Sequence, residues 1–137
     1  MMECVTTDPV AVVRGLMEAM SRFHRGGPVE ELVPLLSEDV VWHIPGDNAI
    51  AGNYRGRGEV LGYFQRRREQ AGRSLRFTER RVLVADDLVL HFAGGAAELK
   101  GEPREWETVG VYRVAVDAIA ECWLVPSDQA LFDQVWR

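Results

Sequence analysis

Two side chains stand among apolar neighbours in a way that could move a proton. The first is His43, inside Val40-Val41-Trp42-His43-Ile44-Pro45-Gly46. An imidazole titrates near neutral pH and is a usable base at pH 7. Strict strand alternation, however, turns Trp42 and Ile44 inward and His43 outward, which favours a structural role for it. The second is Glu79, two residues from Arg81 on a face otherwise made of Leu75, Phe77, Leu83, Leu90 and Phe92. A carboxylate in such surroundings has a raised pKa and becomes an acid or base, although the neighbouring arginine opposes that shift. The plainer alternative is an ion pair at a wet rim. His91 falls on the opposite face with Val82 and Val89, where a structural role is expected, and His24 ends a helix, where a cation suits the dipole.

The elements that must position these groups follow from periodicity. Asp8-Pro9 caps a helix over residues 9–24, with Val10, Val13, Leu16, Met17, Met20 and Phe23 on one face. Pro28 opens a second, short helix through Leu36. The Trp42 strand stops at Pro45-Gly46, and after a glycine-rich loop a third helix runs over 59–71, with Phe64 on its apolar face. The period then changes to two. Strands are expected over 75–85, 88–99, 105–116 and 119–125, with a tight turn at Asp86-Asp87 and a bulge or bend at Gly94-Gly95. Pro126-Ser127-Asp128 leads into a last helix over 129–136.

This order predicts one α+β domain, residues 1–137, in which a curved antiparallel sheet wraps around three N-terminal helices and leaves a conical cavity, with a short C-terminal helix. The Asp86-Asp87 turn pairs Leu83 with Leu90 and Arg81 with Phe92. A hairpin at Gly101-Glu102 is read as placing Trp106, Thr108, Gly110, Tyr112 and Val114 on the face that carries Phe77 and Phe92. That bulkier face is set against the helices. The other face, with Val82, Val84, Val89, Ala93, Val109 and Val111, is too apolar for water and predicts a homodimer interface.

Composition excludes several classes. The 137 residues are 47% hydrophobic and 27% charged, an ordinary balance for a globular protein. A net charge of −5 gives no electrostatic case for nucleic acid or an anionic membrane. Arg66-Arg67-Arg68 reads as a solvated helix face. Cys4 and Cys122 form neither a disulfide framework nor a metal-ligand spacing, and no metal site is expected. Without a signal sequence or membrane-length apolar run, a cytoplasmic location is expected. Gly52, Gly56 and Gly58 lack the spacing of a phosphate-binding loop.

Trp42-His43-Ile44-Pro45-Gly46, Ala51-Gly52-Asn53-Tyr54-Arg55-Gly56, and Ile119-Ala120-Glu121-Cys122-Trp123 with Asp128-Gln129 and Phe132-Asp133 resemble the nuclear transport factor 2-like superfamily, particularly its SnoaL-like branch. The resemblance implies a cone-shaped barrel, usually a homodimer, with a pocket for a small hydrophobic molecule. It also implies cofactor-free chemistry of the isomerase, cyclase or hydrolase kind, or binding without catalysis. The three polar positions of steroid isomerases fall on Ile44, Gly110 and Met17 or Met20, none of which can do acid–base work. In the cyclases an aspartate near the last strand serves as base, which makes Asp128 a third candidate, although it also fits as a helix N-cap. Expected pocket residues are Trp42, Ile44, Phe64, Phe77, Phe92, Trp106, Gly110, Tyr112 and Trp123. Whether Trp123 or Cys122 faces inward depends on register, since one residue of slip reverses the face.

Overall fold

The computed structural model describes residues 8–137; Cys4 lies outside them. Helix α1 (Pro9–His24) is capped by Asp8, whose carboxylate accepts from the Val10 N–H at 3.0 Å. It buries Val13, Leu16, Met20 and Phe23. The expected second helix is instead two 3-10 turns, Val29–Glu31 and Val33–Leu35. Pro34 explains the difference: it has no N–H to donate and would break an α-helix run through this segment. Strand β1 (Leu36–Ile44) follows at once, four residues before the Val40 start of the expected strand.

The glycine-rich loop contains a strand that the sequence did not reveal, β2 (Gly52–Arg55), paired with β1 through His43↔Asn53 and Ile44↔Gly52. Helix α2 (Gly56–Ala71) then crosses the sheet. Four long strands complete it: β3 (Arg76–Ala85), β4 (Leu88–Leu99), β5 (Glu102–Ala115) and β6 (Ala118–Pro126), followed by α3 (Gln129–Val135). The order is β2-β1-β6-β5-β4-β3. The pairs β1–β2, β3–β4, β4–β5 and β5–β6 are antiparallel, but β1 pairs β6 in parallel. The α+β cone is therefore built on a mixed, open sheet rather than a closed antiparallel barrel.

Two bulges decide which residues face the helices. In β3 the register shifts between Glu79 and Arg81, which leaves Arg80 as an extra residue. Phe77 and Glu79 point inward before it, and Val82 turns inward after it. The expected pairs Leu83↔Leu90 and Arg81↔Phe92 are present, but on the outer face. Across the β4–β5 hairpin, odd residues stand beside even ones: Val89↔Tyr112, His91↔Gly110, Ala93↔Thr108 and Gly95↔Trp106. The inner wall of β4 is thus Val89, His91 and Ala93, and not Leu90 and Phe92. In β6 the shift beyond Ile119 leaves Ala120 extra, so Cys122 and Leu124 face inward and Trp123 outward.

One outer row crosses all six strands: Leu83, Leu90, Val111, Trp123, His43, Asn53. Val109 and Val111 lie on that outer face as expected. Val82 and Val89 do not, and Val89 is fully buried against the helices. No bulge interrupts β4 at Gly94-Gly95; both glycines keep regular pairing, and the Trp106 ring lies over Gly95.

Gly110 is a glycine for a related reason. A Cβ there would stand 2.6 Å from Tyr112 Cε2 and 2.9 Å from its hydroxyl, so the space expected for a ligand is taken by the Tyr112 ring. Gly110→Ala must push that ring aside in a packed core and should destabilise the fold by about 1–3 kcal/mol. Denaturant unfolding checks this, with parental stability as the contrary result.

Candidate functional site

The three polar candidates from the sequence fall in three places. His43 lies on the outer face, stacked on Trp123 at 5.5 Å between ring centroids. Its Nε2 is 2.7 Å from Glu121 Oε2 and its Nδ1 2.8 Å from Asn53 Oδ1, so both ring nitrogens are occupied away from the cone. Asp128 caps α3: its carboxylate accepts from the Leu131 N–H at 3.0 Å. Glu79 alone reaches the interior side, at the cone's mouth.

Glu79 does not behave as an apolar-pocket acid. Arg14 on α1 donates to it twice, Nε to Oε1 at 3.1 Å and Nη2 to Oε2 at 2.9 Å. That pairing holds its carboxyl below the usual range, opposite to the expected direction. Its Oε1 also lies 3.2 Å from His91 Nε2. His91 sits on the inner face of β4 and is 3% exposed. Burial lowers its pKa, with the Glu79 charge as the opposing influence. An ionised Glu79 can only accept, so neutral His91 carries its proton on Nε2 and leaves Nδ1 as a lone-pair base.

Below the mouth the cone narrows to a void of about 30 Å³, room for roughly one water. Its wall includes Met17, Met20, Trp42, Phe77, His91, Thr108, Gly110 and Tyr112. An open depression of about 290 Å³ at the mouth is formed by Arg14, Met17, Glu18, Phe77, Glu79 and His91. Met17, Phe77 and His91 belong to both, so the two spaces are neighbours. Of the other expected pocket residues, Ile44, Phe64 and Trp106 are buried core. Trp42 meets Phe64 and Tyr112 edge to face at 5.3 and 5.8 Å, and Trp106 meets Trp136 at 5.4 Å. Phe92 and Trp123 lie on the other side of the sheet. A wider groove of about 770 Å³ beside the C-terminus, lined by Gln70, Lys100, Arg104 and Arg137, is open and holds no buried polar group.

At the closed end lies a residue that the sequence reading placed in solvent. Arg67 is 6% exposed and lines the void. Its Nη1 donates to Tyr63 Oη at 2.9 Å, and its Nη2 lies 3.2 Å from Met20 Sδ and 3.1 Å from His24 Nε2. Its neighbours also differ from a solvated run: Arg66 covers the Tyr54 ring and Arg68 the Phe23 ring. The spacing Val60, Tyr63, Phe64, Arg67, Ala71 is a helical core stripe, and that signal marked Arg67 as buried. His24 is likewise not a dipole-facing cation. Burial first, then Arg67 and Arg68, push its pKa down to about 2. Among the described residues no cluster of three or more His, Cys, Asp or Glu is placed to hold a metal, and no helix is long and apolar enough to cross a membrane.

Residues 8–122 match the model of the SnoaL-like domain, and the chain belongs to that family. Its members often bind small molecules or catalyse cofactor-free reactions. Among solved structures, Bal32a from a soil-derived mobile gene cassette is 24% identical, with 94% of this chain and 96% of that one covered at a TM-score of 0.86. A nuclear transport factor 2-like protein from Burkholderia xenovorans LB400 is 19% identical, with 98% and 100% covered at 0.76. TerC, co-crystallized with polyporic acid, is 16% identical, with 93% and 96% covered at 0.76. At these identities the likeness establishes the fold. No curated protein matches the sequence significantly.

The His24 shift has a sign. Its folded pKa is depressed from 6.5 to about 2, so the stabilisation from keeping it neutral is present above about pH 6.5 and is lost as pH falls. In that window one such group steepens the loss by up to about 1.4 kcal/mol per pH unit. His24→Gln, whose amide oxygen can still accept from Arg67, should flatten the acid limb of stability measured between pH 6.5 and 4. An unchanged slope would contradict a neutral His24.

Proposed function

We propose that the chain is a single SnoaL-like domain that binds a small hydrophobic molecule in the cone and acts on it by cofactor-free acid/base chemistry of the isomerase, cyclase or hydrolase kind. The supporting observation is His91: neutral, buried, oriented by an ionised carboxylate, and shared by the void and the mouth. Its Nδ1 takes a proton from a carbon acid or from water. Glu79 orients the ring and stabilises the imidazolium that results; Arg14 keeps Glu79 ionised and fixed. Glu79 and Arg14 are positioning residues, and His91 is the base. His43 and Asp128 have no part in this scheme, being committed to the outer face and to a helix cap. The buried free thiol of Cys122 fits a reducing, cytoplasmic setting.

A second reading, binding without turnover, draws support from Ile44, Gly110 and the two methionines at the positions where steroid isomerases carry polar groups, and from a void of only about 30 Å³. Hydrogen–deuterium exchange at the α-carbon of small aryl ketones separates the two. Exchange should be constant above neutrality and fall through a single ionisation below 6.5, since protonated His91 is no base. His91→Gln should lower it about 100-fold or more with the fold intact. Ketones that bind without exchange above the buffer rate favour the binder.

The outer face carries Leu90, Phe92, Val109, Val111, Trp123 and Val125, and an isologous dimer through this face is part of the proposal. Light scattering at micromolar concentration should give twice the 15.4 kDa chain mass. A monomer there rejects it.

A further inference from the structure

We infer that the molecule held in the cone carries an anionic head, a carboxylate on an apolar body, and that this head pairs with the Arg67 guanidinium at the closed end. The inference rests on reading the cone as the ligand site and names the substrate class for it.

Buried charges in proteins are paired or solvated, because an unpaired ion out of water is costly. Arg67 departs from that pattern. Among the described residues no carboxylate lies within ion-pair distance of it. Its hydrogen-bond partners, Tyr63, His24 and Met20, are all neutral: burial raises the Tyr63 pKa, and His24 stays unprotonated. Three rings surround the guanidinium, Tyr63 at 5.0 Å, Phe64 at 5.2 Å and Phe77 at 5.3 Å from its carbon. Cation–π contact steadies a cation but supplies no counter-charge. Its Nε is buried without any hydrogen-bond partner. The fork is therefore fixed in place with donor capacity to spare, beside a void.

A carboxylate head, larger than a single water, enters that void as the flexible side chains of its wall repack. The void has room for about one water, and the hydroxyl-bearing residues Thr108 and Tyr112 share its wall. Passage from the mouth runs past Met17 and Phe77. Methionine is unbranched and repacks readily, so Met17 and Met20 can yield to an apolar body that fills the depression of about 290 Å³ outside. A head on Arg67 leaves that body alongside His91. The cationic group at the mouth, Arg14, is already paired with Glu79, so the unneutralised positive charge is the deep one.

The test uses matched probes that differ only in charge: 3-phenylpropionate and trans-cinnamate, each with its primary amide, plus a neutral aryl ketone of the same size. Titration calorimetry at pH 7 should show each acid binding at least about tenfold more tightly than its amide, the range expected of one charge-assisted hydrogen-bonded contact. In Arg67→Gln the preference should vanish, with amide affinity within about threefold of the parent. If that variant does not fold, Arg67→Lys decides: it keeps the charge, so the acids should weaken but remain preferred over the amides. Amides binding as tightly as acids in the parent would overturn the anionic head and leave the cone reading standing. So would binding of the ketone alone. If no probe binds, the inference and the cone reading both fall.

Discussion

The buried Arg67 cation ties the helices to the sheet. Arg67 projects from α2, donates to its own helix at Tyr63, reaches α1 at Met20 and His24, and faces the Phe77 ring of β3. The surrounding chemistry follows from that burial. His24 must be neutral to accept from a guanidinium in a dry environment, and the same environment keeps Tyr63, Tyr112 and Cys122 protonated. Apart from Arg67 itself, charged side chains border the cone where it opens, with Arg14 paired to Glu79, while Glu121 and Arg113 pair on the outer face. The interior thus grades from a positive closed end, through neutral hydroxyls and rings, to a negative carboxylate that polarises His91 at the mouth.

Much of the fold was legible in the sequence. The helix of 9–24, the change of period after Gly72, the Asp86-Asp87 turn and the cap at Asp128 all carry local signals and are where those signals put them; the helix expected over 59–71 begins three residues earlier, at Gly56. Strand β2 gave none: Gly52-Asn53-Tyr54-Arg55 is short and glycine-led, and becomes a strand only because β1 offers it an edge. Pro34 was a visible signal against a second helix and outweighs the apolar spacing around it. The parallel contact of β1 with β6 is a tertiary fact with no local trace.

The site was less legible, for one physical reason. Strand faces are set by parity, and a bulge changes parity without leaving a residue type that announces it. The extra residues Arg80 and Ala120 are unremarkable in the sequence, yet they bring Val82 and His91 to the side of Phe77 and Glu79 and send Trp123 to the side opposite Ile119. The odd–even pairing of the β4–β5 hairpin then sets His91 beside Gly110, where Phe92 had been expected. His91 was consequently assigned to an interface, while Glu79, read either as a buried acid or as an ion pair at a wet rim, is paired with Arg14. Arg67 was hidden differently, inside a basic run whose charge suggested solvent while its helical spacing indicated core.

The central claim concerns protonation: the cone holds two neutral imidazoles of opposite tautomer, His91 with its proton on Nε2 facing Glu79 and His24 with its proton on Nδ1 so that Nε2 can accept from Arg67. Long-range ¹H–¹⁵N correlation spectra of the histidine rings read this directly. At pH 7 the account predicts one neutral Nε2–H ring and one neutral Nδ1–H ring, assigned to His91 and His24 by their loss in His91→Gln and His24→Gln. A His91 ring protonated on both nitrogens at pH 7, or a His24 ring that titrates near 6.5, would contradict it.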